Sequence, residues 1–354
     1  MVLLGVDPHK DTHTVVAVDQ AGRQLDQTTV PARTLGHGEL VGWARTRWPG
    51  PAQRTWAVED CRHVTGRLER DLLAAGERVV RVPPRLMAGA RQAVRTQGKS
   101  DPIDALAVTR AALREPNLPT AGHDQASWEV KLLVDHREHL VAEPTRTINR
   151  LRWHLHQLDP DLEHTTRRLP GRGLRRITAR LAQTAADAGS VVQVRICQAQ
   201  VSAIQALSDQ IGQLDRQLRQ QVARLAPSLL SLPGCGPLTA AKLIAETAGV
   251  ARFRSQACFA MHAGVAPVPV SSGRTDRHRL SRGGNRQLNA ALHRIAITQL
   301  RLPGPGQAYY QRRRAQGDAT GEAVRALKRR ITRAVYQDLK QAEQRLRAAS
   351  PAAA

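Results

Sequence analysis

Two short apolar runs near the N-terminus each end on a carboxylate, and this pattern restricts the fold more than any other feature of the chain. Val2-Leu3-Leu4-Gly5-Val6 stops at Asp7, and Arg54-Thr55-Trp56-Ala57-Val58 stops at Glu59. Short runs rich in β-branched and aromatic residues, bounded by turn formers, predict strands. Thr12 to Asp19 predicts a second strand, antiparallel to the first across the turn Pro8-His9-Lys10-Asp11, and Arg78 to Val82 predicts another. Helix-like sequence such as Gly66 to Ala75 lies among them, which makes the N-terminal part an α/β domain. Farther on, Ser100 is a candidate N-cap with Pro102 in the first turn, so Asp101 and Asp104 open a helix and share one face at i and i+3. A single acid there would only complement the helix dipole. Asp7, Glu59, Asp101 and Asp104 together, each at a strand end or helix start, suit two Mg²⁺ ions about 4 Å apart that grip a scissile phosphate. His9 and His13 predict a surface turn or a DNA contact in preference to a metal site, because no zinc-type partner stands at a matching spacing.

The charge names the partner class. Lys and Arg number 53 against 30 Asp and Glu, a net charge of +23, and basic side chains displace counterions from phosphates. Aromatic residues make up only 3% of the chain, too few for base-stacking platforms, so backbone contacts should dominate. Cys61, Cys197, Cys235 and Cys258 form no Cys-x-x-Cys pair, which argues against a zinc ribbon or a disulfide framework and fits a reducing cytoplasm. No unbroken apolar run is long enough to span a bilayer, so no membrane partner is expected.

From Ser127 the apolar spacing turns helical, with Pro144 expected to kink or break the helix. The basic cluster from Arg167 to Arg176 predicts a phosphate contact. Ile204, Leu207, Ile211, Leu214, Leu218 and Leu225 form a heptad seam. A coiled coil between protomers is the preferred reading, and a helical hairpin folded back on the segment from Ser127 is the competing one. Leu232 to Ile244 matches a helix-hairpin-helix: Gly234 and Gly236 allow close backbone approach, and the following helix start, with Thr239 and Lys242, faces a phosphate. Beyond it Ser271, Ser272 and Ser281 stand among Arg274, Arg277, Arg279, Arg282 and Arg286. Read alone, these serines are turn and cap residues. Arg312-Arg313-Arg314 and Lys328-Arg329-Arg330, in a helical pattern to about Arg347, predict a further backbone or RNA contact.

Gly5-Val6-Asp7-Pro8-His9-Lys10-Asp11, Glu59 and Lys99-Ser100-Asp101-Pro102-Ile103-Asp104-Ala105 resemble the Asp-Glu-Asp-Asp signature of a RuvC-like, ribonuclease H-type domain. The form looks like that of the insertion-sequence transposases of the one-hundred-and-ten group and the Piv DNA invertases, some of which are bridge-RNA-guided recombinases. After Glu59 the chain reads Asp60-Cys61-Arg62-His63 where the family often has a small hydroxyl residue and Gly, so Asp60 stands beside Glu59 as a residue that assists or replaces it. Phe259 to Pro267, Ser271-Ser272-Gly273 and Arg279 to Leu288 resemble the C-terminal transposase domain of the same family, in which a serine is the nucleophile; Ser272, before Gly, matches best. The resemblance implies a RuvC-like domain over residues 1–118, a helical and coiled-coil region over 119–228, and a mainly α domain with a helix-hairpin-helix over 229–350. It further implies a transposase in which Mg²⁺ on the acidic tetrad activates a phosphate of double-stranded DNA and Ser272 attacks it. A dimer or tetramer with a composite site shared between protomers follows as an expectation, and the charge permits a guide RNA without requiring one. A metal-only Holliday-junction resolvase or nuclease and a non-catalytic DNA-binding protein are the rival expectations.

Overall fold

Strand β1, Val2–Pro8, turns back into β2, Thr12–Val18, with Leu3 opposite Val18 and Pro8 opposite His13. The computed structural model describes residues 1–60, 62–84, 86–87, 100–115, 118–122, 124–160, 169, 171–184, 191–272, 275–279 and 283–349. Strand β3, Gln24–Pro31, pairs antiparallel with β2, while β4, Arg54–Glu59, and β5, Val79–Val82, extend the other side of β1 in parallel. The order is β3-β2-β1-β4-β5. Strands β1, β2 and β4 are buried on both faces, which is why they read as continuous apolar runs and not as alternating ones. β3 escaped the sequence reading for the opposite reason: it is an edge strand, largely exposed and polar.

Helices cover both faces. Helix α1, Thr34–Arg47, and α2, Arg62–Ala74, place Leu40, Ala44, Leu68 and Leu72 against Leu4, Val6, Val15 and Trp56. On the opposite face α3, Asp101–Arg114, places Ala105 and Val108 against Leu3, Val16 and Ala57. The start of β4 is anchored by a buried fork: Arg54 donates to Glu77 through Nε at 2.7 Å and Nη2 at 2.6 Å, and Trp56 Nε1 donates to the same carboxylate at 2.9 Å. Burial pushes the Glu77 carboxyl up, but these donors outweigh it and hold the group below its ordinary range.

His13, on β2, is buried and stacks on His37 with ring centroids 5.2 Å apart. It is therefore a core residue and not the surface turn or DNA contact expected. Burial, with the positive fields of His37 and His9, pushes its pKa down to about 4 from 6.5. The unfolded chain binds the proton first, so the stability that neutral His13 contributes is complete above about pH 6.5 and is lost as pH falls toward about 4, by on the order of 3 kcal/mol. Urea unfolding of His13→Asn across that range should show a flatter acid limb than the parent; equal slopes would assign the acid sensitivity elsewhere.

Residues Met1–Asp124 with Ala251–Arg254 form one compact unit, and Gln125–Val250 with Ser255–Ala354 form a second. The first runs past residue 118, because Thr120 bridges to Val80 and Ala121 is buried in its core. The second is mainly helical. Helix α4, Gln125–Leu158, and α6, Val191–Leu225, lie antiparallel, with Arg137 paired to Asp215 and Gln193 Nε2 donating to the His154 carbonyl at 3.2 Å. Helix α5, Arg172–Thr184, completes their cluster of Leu151, Leu155, Leu174, Ile177, Leu181, Val194, Cys197, Val201 and Ile204. Within the chain α6 folds back on α4, and Ile204, Leu218 and Leu225 of the heptad seam are buried whereas Leu207, Ile211 and Leu214 are half-buried. Pro144 was expected to kink or break α4; the helix is not broken there and continues to Leu158. Of the basic cluster, Arg175 and Arg176 lie exposed on α5, whereas residues 167, 168 and 170 lie outside the described residues.

The rest of this unit is built on α7, Pro237–Thr247, which packs against α4, α6 and α9, Arg286–Arg301. After α7 come α8, Gln256–His262, and a ribbon of β6, Val268–Ser272, with β7, Thr275–Arg279. Helix α10, Pro305–Ala315, and the long α11, Thr320–Ala349, pack against each other and against α9.

Candidate functional site

Register and close packing assemble the acidic cluster. Strands β1 and β4 are parallel neighbours with Val6 opposite Val58, so their next residues, Asp7 and Glu59, lie side by side at the C-terminal ends of the two strands. Gly5 brings in the third element. A Cβ there would meet the Ala105 carbonyl of α3 at 2.5 Å and would overlap the Thr109 hydroxyl, so only glycine lets the first turns of α3 lie on β1. Ser100 is extended, φ −151° and ψ 152°, and its carbonyl accepts from the Asp104 amide at 3.0 Å, so the helix starts with Asp101 and Asp104 near the end of β1.

His9 Nε2 lies 3.0 Å from Asp7 Oδ2 and 3.3 Å from Asp101 Oδ1, and one ligand atom from each of the three residues falls within 4.8 Å of the others. Asp7 and Asp104 are buried, whereas the Asp101 and His9 side chains are about half exposed, at 48% and 49%. Burial raises the Asp7 carboxyl above its ordinary pKa; His9 offsets part of this, and the Asp104 and Asp101 carboxylates raise it further. Crowded carboxylates whose charges oppose one another, open to solvent on the Asp101 side, form a donor set that suits a hard divalent cation. Asp7, His9 and Asp101 could hold it directly, with Asp104 close enough to bias Asp7. Glu59 is half-buried beside them but outside the tight group. Asp60 differs from Glu59 in its surroundings: its amide donates to the Val82 carbonyl at 2.9 Å and its charge acts on Arg81.

His9 lies exposed in the turn between β1 and β2, as the sequence reading expected, and its ring also reaches two of the four acids. The signal was available. Asp7 and His9 are two residues apart at a strand end, and in extended chain i and i+2 share a face. Gly5→Ala tests how strictly α3 must approach. The added methyl has backbone in its way, so α3 shifts and carries Asp101 from Asp7; strand cleavage should fall about 100-fold, as for an ångström-scale misplacement, while DNA binding persists. Cleavage at the parental rate would contradict this role for Gly5.

In the second unit, Gly234 takes φ +87°, and a Cβ on it would meet the Ile295 carbonyl of α9 at 3.1 Å, so the turn before α7 seats against that helix. Gly236 is the exposed N-cap of α7, Pro237 follows, and Thr239 is half-buried in the first turn. Lys242 corrects the sequence reading. It is buried and paired with Glu138 on α4, so its charge is committed within the fold. Ser272 ends β6 opposite Thr275, at the close of the ribbon. Arg279 at the end of β7 and Arg286 at the start of α9 are exposed, and Asn285 caps α9 by accepting from the Gln287 and Leu288 amides at 2.9 and 3.0 Å. Arg274, Ser281 and Arg282 lie outside the described residues. Among the described residues no helix is long and apolar enough to cross a membrane.

Comparison with known proteins gives a consistent picture. A transposase family model of the DEDD, IS110 type matches residues 4–160, and the model described as the transposase IS116/IS110/IS902 family matches residues 226–311. The uncharacterized 44.8 kDa protein of insertion element IS116 from Streptomyces clavuligerus is 29% identical, with 93% of this chain and 92% of that protein covered. The uncharacterized 42 kDa protein of insertion element IS900 from Mycobacterium paratuberculosis is 28% identical, with 93% of each chain covered. Among solved structures, T. thermophilus RuvC in complex with a Holliday junction substrate matches 34% of this chain and 99% of its own at 18% identity, with a TM-score of 0.27. The fold rests on the mixed sheet and the family model, not on that likeness.

Proposed function

Because this chain belongs to the IS116/IS110/IS902 family of transposases, enzymes that cleave and recombine DNA, we propose that it exchanges strands at the ends of an insertion sequence by a metal-assisted attack of Ser272 on a DNA phosphodiester. The observation that carries the reading is the buried Asp7 carboxylate, with Asp101, Asp104 and His9 gathered about it where β1 meets the start of α3. Two Mg²⁺ ions on Asp7, Asp101, Asp104 and Glu59 would supply positive charge to the phosphate oxygens. His9 Nε2, within 3.0 Å of Asp7 and 3.3 Å of Asp101, would join them as a ligand or bridge the two carboxylates. In the second unit the exposed start of α7 at Gly236, with the turn at Gly234, orients backbone amides toward a phosphate, and Thr239, Arg279 and Arg286 add donors; Arg274 and Arg282 belong to the same basic run.

Ser272 Oγ forms a bond to phosphorus as the bond from phosphorus to a deoxyribose oxygen breaks. The serine proton is lost, the departing oxygen gains a proton, and the link between serine and phosphate retains the bond energy until a hydroxyl of the partner strand attacks in reverse. Ser272 and the carboxylates lie in different units, and the reading requires that both act on one phosphodiester. Joining two ends calls for a dimer or tetramer, and the net charge of +23 leaves capacity for a guide RNA beside duplex DNA.

The test is transfer of label. Duplex element ends carrying ³²P at the cleavage position, incubated with the protein and Mg²⁺ and quenched in denaturant, should leave label on the protein, and EDTA should prevent it. Cleaved DNA with no labelled protein would instead identify a metal-only nuclease in which water attacks.

A further inference from the structure

A cavity of about 550 Å³ opens between α9 and α11, with Gly283 and Gly284 at its edge. Its polar lining is Asn285, Arg286, Asn289 and His293 from one side and Arg325 and Lys328 from the other, and no carboxylate lines it. Lys328 sets the cavity apart. Its side chain is buried, at 7% exposure, and its ammonium donates to Asn289 Oδ1 at 2.6 Å. Two other lysines of this unit have carboxylate partners: Lys131 meets Asp135 at 3.0 Å and Glu246 at 2.9 Å, and Lys242 meets Glu138. Lys328 has none among the described residues. Arg325 has one weak acidic neighbour, Glu322 at 3.8 Å. A buried ammonium without a counter-charge is costly to the fold, and a site that keeps one retains unused capacity for an anion. Burial holds Lys328 below the ordinary lysine range, and Lys328, added to burial, holds His293 low, as expected where an anion is lacking.

We propose that this cavity holds a phosphodiester group of a nucleic-acid backbone, with the Lys328 ammonium as its buried charge and Arg286, Arg325 and His293 around the mouth. The lining selects this class of ligand. Its polar groups are cations, carboxamides and one imidazole, set beside Ala290, Ile297 and Val324, and no Phe, Tyr or Trp lines it to stack a base. Asn289 carries the contact into the fold: its Nδ2 donates to the Ala263 and Gly264 carbonyls, both at 2.9 Å, just before the strand that ends at Ser272. The inference rests on the reading that the second unit handles nucleic acid, but not on Ser272 being the nucleophile.

Full-length protein and Lys328→Met, both in EDTA, are titrated with a labelled DNA duplex and with a labelled single-stranded RNA across a salt series. Loss of one phosphate contact should make the slope of log K against log salt shallower by about 0.9 for the duplex or about 0.7 for the single strand. The arm that changes identifies DNA or RNA as the source of the phosphate. Unchanged slopes in both arms with the variant folded overturn the proposal. If Lys328→Met does not fold, the wild-type protein decides: inorganic phosphate, against chloride at equal ionic strength, should slow diethyl pyrocarbonate modification of His293 but not of exposed His156, and equal protection or none overturns it. A salt-slope change in a protein that transfers no label to itself in Mg²⁺ would support the pocket while removing the serine reading.

Discussion

Asp7→Asn is expected to lower strand cleavage by at least about 10³-fold while leaving DNA binding and the fold intact. Asn has the shape of Asp, so β1 and its pairing persist, and what is lost is one negative charge at the most buried point of the cluster. The remaining acids then form a weaker cation site, since Asp101 is half exposed and Glu59 stands outside the tight group. The fold should not suffer. Burial and the neighbouring carboxylates already raise the Asp7 pKa, so neutralising the group relieves repulsion, and thermal unfolding should occur at an equal or higher temperature than in the parent. Cleavage of labelled duplex ends in Mg²⁺, with fluorescence anisotropy for binding, separates the two effects. Parental cleavage by Asp7→Asn would remove the carboxylate cluster from the reaction.

The second large effect belongs to Ser272→Ala, which should abolish both the covalent protein–DNA adduct and strand exchange. No other group can inherit the step if Oγ itself bonds to phosphorus. Ser272 closes the β6–β7 ribbon opposite Thr275, and alanine is compatible with an extended backbone, so binding should persist. Ser271→Ala and Ser281→Ala are the controls and should retain the adduct. An adduct that survives in Ser272→Ala but disappears in Ser281→Ala would move the nucleophile to the other side of the ribbon in sequence.

How much of this was legible before the structure depended on what each residue packs against. β1, β2, β4 and β5 were readable because both faces of the sheet are covered and their apolar runs are continuous; β3, polar at the edge, had no such run. Asp7, Glu59 and Asp101 were identifiable from their positions at element ends, and sheet register with the glycine contact at Gly5 then brings their elements together. His9 was placed correctly at the turn, but its reach to Asp7 and Asp101 was missed because the metal-spacing argument considered only zinc partners. Lys242 was misassigned because α7 was treated as a surface helix, whereas every residue from Ala240 to Thr247 is buried. The heptad seam of α6 was ambiguous in principle: a repeat of three and four states that a helix packs along one face, without stating whether its partner is α4 of the same chain or another copy.

The central claim, that a serine of the second unit becomes joined to DNA under the control of carboxylates of the first, is tested most directly by mapping the adduct. Protein trapped on duplex ends in Mg²⁺ is digested with nuclease and protease and analysed by mass spectrometry. The account predicts one modified peptide, spanning Ser271-Ser272, with the nucleotide phosphate on Ser272 and no such peptide from Asp7→Asn. Cleaved DNA with all three serines unmodified, or an adduct that forms equally well in Asp7→Asn, would contradict it.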